Sequence, residues 1–333
     1  AFLHPFLCSI SGILEVYKMK TIQLTPSCKD YLWGGEKLRT EYGIQSELHP
    51  LSEAWMLSCH PDGPSYLPDG STFQQYINTH PGCLGTHCEK FSEFPVLAKL
   101  IDAKKDLSIQ VHPSNEYALE HEHQDGKTEM WYIVDCEPGA TLIYGFKHAV
   151  SKEEFEKRIA DNTLLEVCNQ IPVHKGDVFF IASGTLHAIG KGIIICEIQQ
   201  NSNTTYRVYD YGRLGKDGKP RELHVKKAID VTNLEPVKER PHLDAPIDIF
   251  AETEARLLAS CEYFTVYELE IDGTSHLTAG EDSFQSFTVL DGSVQLQAGD
   301  VELTFKKGET SFLPAGLGAY TLMGKARLVL SKI

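Results

Sequence analysis

Residues 107–113 read Leu-Ser-Ile-Gln-Val-His-Pro, so Ser108, Gln110 and His112 alternate with Leu107, Ile109 and Val111. In an extended strand successive side chains point to opposite faces, which puts the polar trio on one side and the apolar trio on the other. Such a strand is a poor core wall and a good wall for a polar pocket. Residues 127–134 repeat the parity with Lys127, Glu129 and Trp131. Paired side by side, the two strands would aim Gln110, His112 and Glu129 at one point. A third segment runs from a Gly176-Asp177 turn through an apolar strand and a small-residue turn to His187. A lone histidine after an apolar strand is more often packed than a ligand, but His187 offers the Gln/His/Glu group a further partner. Two neutral imidazoles, a carboxylate and an amide oxygen suit zinc, and the same set could hold iron, manganese or cobalt.

Other residues invite sharper readings than their surroundings support. His121 and His123 form a His-x-His pair, but they end a polar, charge-rich run before Gly126, which places them in solvent. Cys83 and Cys88 are the closest pair of cysteines and invite a zinc pair, but the plain reading of both is a reduced thiol. Lys99 sits in the buried-type strand 95–101, either as a snorkelling edge residue or as a phosphate contact. Arg207 shares a parity with Tyr209 and Tyr211 and reads either as a salt-bridged surface residue or as an anion site. Glu197 lies in the strand 193–200.

These residues need a scaffold. The 333 residues exceed one average domain, so two compact units are expected. Acidic residues outnumber basic ones 46 to 31, for a net charge of −15. That argues against a nucleic-acid or membrane surface, since both partners are anionic, while leaving room for a small anionic substrate. Nine scattered cysteines without paired spacing read as reduced thiols in a cytoplasmic protein. Residues 1–18 are apolar but broken by His4, Pro5, Ser9 and Ser11, too short for a membrane span and without a charged start. They read as an upstream extension before Met19.

Capping patterns predict short helices over 71–78, with Ser71 as cap, and over 114–122, with Ser114 as cap. Helical spacing of Phe155, Ile159, Leu164, Leu165 and Val167 makes 151–169 an amphipathic insertion that covers rather than catalyses. The expected division is a metal-binding unit over 19–233, a proline-bearing linker over 234–248 and a second unit over 249–333. Residues 307–320 overlay 175–188 without a gap: Gly176 falls on Gly308, Ile181 on Leu313, Gly184 on Gly316, and His187 on Ala319. The echo predicts two related barrels, one with a metal and one without.

Taken together, the strings SIQVHP, GKTEMWY, GDVFFIASGTLHAIGKG and EIQQNSNTTYRVYDYGR resemble the class I mannose-6-phosphate isomerases in their short bacterial form. The similarity runs from about Thr21 to the end. Four motifs in order are specific, although each alone is weak. The resemblance implies a mostly β fold of two cupin, jelly-roll-like barrels with a few short helices. It implies interconversion of mannose 6-phosphate and fructose 6-phosphate with one zinc per chain. It carries the metal ligands onto Gln110, His112, Glu129 and His187, and an active-site arginine onto Arg207. It puts Ser108, Lys99 and Lys127 around the substrate and its phosphate. The long helical insertion of the larger eukaryotic members has no counterpart here.

Aldose–ketose isomerisation moves a proton between C1 and C2 through an enediol, so a base and a stabiliser of oxygen charge are required. The sequence leaves Glu197, Asp210 and a water on the metal as candidate proton carriers. Two rival functions share the barrel: a non-catalytic sugar-binding regulatory cupin, and an iron-dependent oxidoreductase using His121, His123, Glu129 and His187. The implied partner is a small phosphorylated sugar, with no nucleic acid and no membrane, and the sequence specifies no oligomeric state.

Overall fold

The computed structural model describes residues 20–215, 217–238 and 253–333. The expectation for 1–18 and most of that for the linker 234–248 lie outside the described residues. Among the described residues no helix is long and apolar enough to cross a membrane.

Strands dominate. The first are β1 (Ile22–Leu24), β2 (Ser27–Lys29), β3 (Glu53–Leu57), β4 (Val96–Ala103), β5 (Ile109–Val111) and β6 (Glu129–Cys136). There follow β7 (Thr141–Phe146), β8 (Cys168–Pro172), β9 (Val178–Ile181), β10 (His187–Ala188), β11 (Ile193–Gln200) and β12 (Tyr206–Tyr209). The C-terminal set is β13 (Glu254–Ser260), β14 (Thr265–Ala279), β15 (Gln285–Ala298), β16 (Val301–Lys306), β17 (Thr310–Leu313) and β18 (Gly318–Lys332). The helices α1 (Lys37–Thr40), α2 (Phe73–Thr79), α3 (Asn115–His121), α4 (Lys152–Ala160) and α5 (Val225–Val231) are short. Thr72 closes a capping box on α2 and Ser114 caps α3. The first cap is therefore one residue beyond the Ser71 expected from sequence.

Two antiparallel sheets make the first unit. One has the order β12-β5-β10-β7-β8 and the other β2-β3-β4-β11-β6-β9. Strands β5 and β6 thus do not pair, contrary to the simplest reading of their shared parity. They belong to different sheets, and their polar faces meet across the space between. Each sheet is amphipathic in the way this demands. Ile109 and Val111, on the outer face of β5, pack with Phe146, Phe155, Ile159 and Leu164, so the insertion covers the back of the sheet. Ala98, Leu100, Met130 and Tyr132, on the outer face of the other sheet, pack on the C-terminal unit through Phe264, Phe284 and Phe312.

The C-terminal unit is one sheet, β1-β17-β15-β18-β14-β13, with β16 on β15. Leu269, Phe287, Leu296, Phe305 and Leu328 all belong to it and bury one another, which requires the sheet to curl around its own apolar face. The echo reappears as geometry. Gly176 and Gly308 take φ +89° and +83°, and Gly184 and Gly316 take +84° and +75°, a region that favours glycine at both corners. The first strand crosses the expected division: Ile22 and Leu24 pair with Phe312 and Thr310. Where described, the linker region also belongs to the first unit. Leu234 accepts a backbone hydrogen bond from Val150, and Val237 packs beside Gly145.

Candidate metal centre and cleft

Two rows of residues face each other across the first unit, and strand register makes both. In the five-stranded sheet Gln110 lies opposite His187 on one side and Arg207 on the other. In the six-stranded sheet Trp55 pairs with Lys99, Lys99 with Glu197, and Glu197 with Trp131. Residues in register across neighbouring strands share a face, so each row presents its side chains together. Glu129 lies two residues before Trp131 on the same face.

His112, Glu129 and His187 converge. Their nearest nitrogen and oxygen atoms all lie within 4.8 Å of one another, and all three side chains are buried. His187 Nε2 is 3.3 Å from Glu129 Oε1, and His112 Nε2 is 3.6 Å from Glu129 Oε2. The Nδ1–H of His112 donates to Thr204 O at 2.8 Å, and that of His187 donates to Thr185 O at 2.8 Å. Both Nε2 lone pairs therefore point inwards at a carboxylate. Burial, followed by the charge of Lys127, holds His112 well below the usual histidine range, and burial brings His187 down to about 4. Neutral imidazoles with Nδ1 tied to a carbonyl are the form that binds metals.

Acceptors outnumber donors here: of these atoms Lys127 reaches only Glu129 Oε2, and the Gln110 amide nitrogen only His187 Nε2. His112 Nε2 and Glu129 Oε1 are buried and have no hydrogen-bond partner among the described residues. Burying such groups unpaired is costly, and a cation between them removes the cost. The spacing agrees, because ligand atoms around one tetrahedral zinc are about 3.4 Å apart. Gln110 stands beside them with Nε2 3.4 Å from His187 Nε2. A half-turn of its amide brings the oxygen to the same place.

Around this point opens a cleft of about 260 Å³. Ser108, Gln110, Lys99, Lys127, Glu197 and Arg207 all line it. Lys99 is no snorkelling edge residue: it is 4% exposed on a central strand, with Nζ 3.1 Å from Glu197 Oε1. Lys127 Nζ is 2.8 Å from Glu129 Oε2 and 3.8 Å from Glu197 Oε1. Burial alone would raise the Glu197 pKa, but Lys127, Lys99 and the Trp131 indole outweigh it and hold it below its ordinary value. Glu129 moves the other way, raised by burial and by the charge of Glu197. Arg207 donates from Nε to Ser108 Oγ at 3.3 Å and from one terminal nitrogen to Glu222 O at 2.8 Å.

Other candidates fall away. Asp210 is consumed by Arg221, which donates at 2.7 and 2.6 Å, and by Arg213. His121 stacks on Tyr117 in solvent and His123 is exposed, so neither reaches Glu129 or His187, and the four-residue iron site does not form. Cys83 and Cys88 are packed in the core, their thiols pushed up by burial to about 11 and about 12. Cleft residues not singled out from sequence include Tyr31, Glu53, Asn203, Thr205 and Arg221. Of these, Glu53 left a signal: a single acid opening an otherwise apolar strand.

Comparison with known proteins gives the family. Residues 21–136 match the family model "Phosphomannose isomerase type I, catalytic domain", and 253–333 match "Mannose-6-phosphate isomerase, cupin domain". Mannose-6-phosphate isomerase ManA of Bacillus subtilis is 38% identical over 92% of this chain and 97% of its own. The Streptococcus mutans mannose-6-phosphate isomerase is 37% identical over 90% and 94%. The crystal structure of the Bacillus subtilis mannose 6-phosphate isomerase superposes with a TM-score of 0.85 over 95% of this chain and 100% of that one, at 38% identity. The Salmonella typhimurium enzyme in its apo form shares the fold at a TM-score of 0.77 and 17% identity. The chain belongs to the type I phosphomannose isomerases, metal-dependent aldose–ketose isomerases of cupin fold.

Proposed function

We propose that the chain interconverts mannose 6-phosphate and fructose 6-phosphate in this cleft, with one zinc per chain held by His112, Glu129, His187 and the Gln110 amide. The observation that carries the reading is the buried set of acceptors facing one another beside Gln110 and Lys127, which line the cleft. Bound there, zinc supplies Lewis-acid polarisation of the sugar's carbonyl and hydroxyl oxygens.

The chain's own residues do the rest. Lys99 and Lys127 place ammonium groups on the cleft wall, where oxygen charge develops in the enediol. Glu197, kept ionised by the two lysines, accepts and returns the proton that moves between C1 and C2. Arg207, fixed through Ser108 and Glu222 O, offers its remaining N–H groups to the anionic substrate. Lys99, Lys127 and Ser108 complete the substrate contacts. The eight described cysteines are free thiols, in keeping with cytoplasmic work on a soluble sugar phosphate.

A coupled assay on mannose 6-phosphate tests this. Protein stripped by a chelator should lose at least 90% of its turnover and regain it with zinc. Full turnover by protein shown to be metal-free would end the proposal.

A further inference from the structure

Glu53 has no part in the account above, yet it lies at the cleft wall, 8% exposed. It opens β3, two residues before Trp55, and so shares the inward face with it. Its Oε2 accepts a hydrogen bond from Trp55 Nε1 at 2.7 Å and lies 4.0 Å from Lys99 Nζ. On the other side of Lys99 the same motif recurs. Glu197 Oε2 accepts from Trp131 Nε1 at 2.8 Å, while its Oε1 meets the lysine. The Lys99 ammonium is thus bracketed by two carboxylates, each anchored by an indole N–H, and lies 5.0 Å from the centre of the Trp55 ring.

Charge counting shows why two brackets are needed. Glu197 is shared between Lys99 and Lys127, and Lys127 also takes Glu129. Left with Glu197 alone, a lysine buried to this depth would have half a counter-ion, and burial favours its neutral form. Burial does work against the ammonium, but Glu197 and then Glu53 more than reverse it, so Lys99 stays above the usual lysine range.

We infer that Glu53 is a positioning residue of the isomerase site, which keeps Lys99 charged and aimed into the cleft from the side opposite Glu197. The inference rests on the proposed function for its catalytic meaning, but the bracket itself does not. The charged and titratable groups facing Lys99 are Glu53 on β3, Glu197 on β11, Glu129 on β6, Lys127 before it, His112 after β5 and His60 beyond Trp55. Removing Glu53 takes away one of three carboxylates, the one farthest from the proposed metal ligands, and leaves the two ammonium groups and the bound ion in place. The Lys99 ammonium then becomes more acidic, and whatever depends on it fails at lower pH.

The test is Glu53→Gln, which keeps shape and an acceptor for Trp55, beside Glu53→Asp, which keeps charge. Competitive acylation by acetic anhydride across a pH series, read by mass spectrometry at Lys99, measures the lysine without turnover. In Glu53→Gln its reactivity should titrate on the order of one pH unit lower, and Glu53→Asp should restore most of the shift. In the isomerase assay Glu53→Gln should lose roughly tenfold or more in kcat, with a smaller change in KM, unchanged metal content and an alkaline limb moved down by the same amount. An unmoved Lys99 titration in folded, metal-loaded Glu53→Gln overturns the inference. So does a rise in KM at wild-type kcat, which would make Glu53 a substrate contact. If wild-type protein turns over no mannose 6-phosphate while the Lys99 titration shifts as stated, the proposed function fails and the bracket stands.

Discussion

At the scale of single residues, the division between metal ligand and bystander histidine follows from what each Nδ1 touches. His112 and His187 spend Nδ1 on the carbonyls of Thr204 and Thr185, which leaves Nε2 facing Glu129 in a dry site. His121 has its Nδ1 near Tyr117 O at 3.0 Å as well, but its ring lies on the surface. The joint substitution His121→Ala with His123→Ala should therefore leave metal content at one per chain. His112→Ala should cut metal affinity by 10- to 100-fold or more, by analogy with losses measured for outer partners alone. Metal analysis of dialysed protein reads both, and loss of metal from the double variant would mean that other histidines bind it. Much of this site was legible in sequence. Alternation alone put Ser108, Gln110 and His112 on one face, because parity is local. Glu53 left only the mark of an acid opening an apolar strand, and Arg221 and Asn203 left none, because what brings all three to the cleft is sheet order and loop path, which no local pattern encodes.

At the scale of elements, the cleft owes its shape to close backbone approaches. Trp33 lines the cleft and packs with Trp131 and Phe179, and the two glycines after it are where the chain touches its neighbours. Gly34 bridges to Ala103 and Gly35 to Leu51. A Cβ on Gly34 would stand 2.4 Å from Ser52 Cβ and 2.6 Å from its Cα, atoms that cannot swing aside. Gly34→Ala should destabilise the fold by about 1–3 kcal/mol, the usual cost of overpacking. Chemical denaturation with an unchanged m-value reads it, and a variant as stable as wild type would mean the chain yields there. The Trp-Gly-Gly string is visible in sequence, but its reason is not, since its partners Ser52 and Ala103 lie far along the chain, beyond any local pattern. Helix α4 shows the converse. Its apolar residues announce an amphipathic cover, and Phe155 and Ile159 do bury, yet what they cover is the back of β5 rather than the mouth of the site. Spacing gives the face of a helix and says nothing of which surface receives it.

At the scale of the whole molecule, the two units share a core. The outer face of the sheet that carries Lys99, Glu129 and Glu197 is buried against Phe264, Phe284 and Phe312 of the C-terminal sheet, with α2 between. Phe312 is fully buried and meets Phe73 at 4.7 Å and Phe284 at 5.6 Å between ring centres, while its strand holds β1. The echo between 175–188 and 307–320 was legible because turn glycines must recur wherever the same corner recurs. That the second unit buttresses the first was not, since it depends on which faces meet. The consequence is testable because all three tryptophans, Trp33, Trp55 and Trp131, lie in the first unit. Phe312→Ala removes a large aromatic from the second unit's side of the contact and should cost about 3–5 kcal/mol. If the core is shared, tryptophan fluorescence and far-ultraviolet circular dichroism will report one transition, lowered together. If instead the fluorescence transition stays at its wild-type temperature while the dichroism splits in two, the units unfold separately, and the second sheet is a passenger on the catalytic one rather than its support.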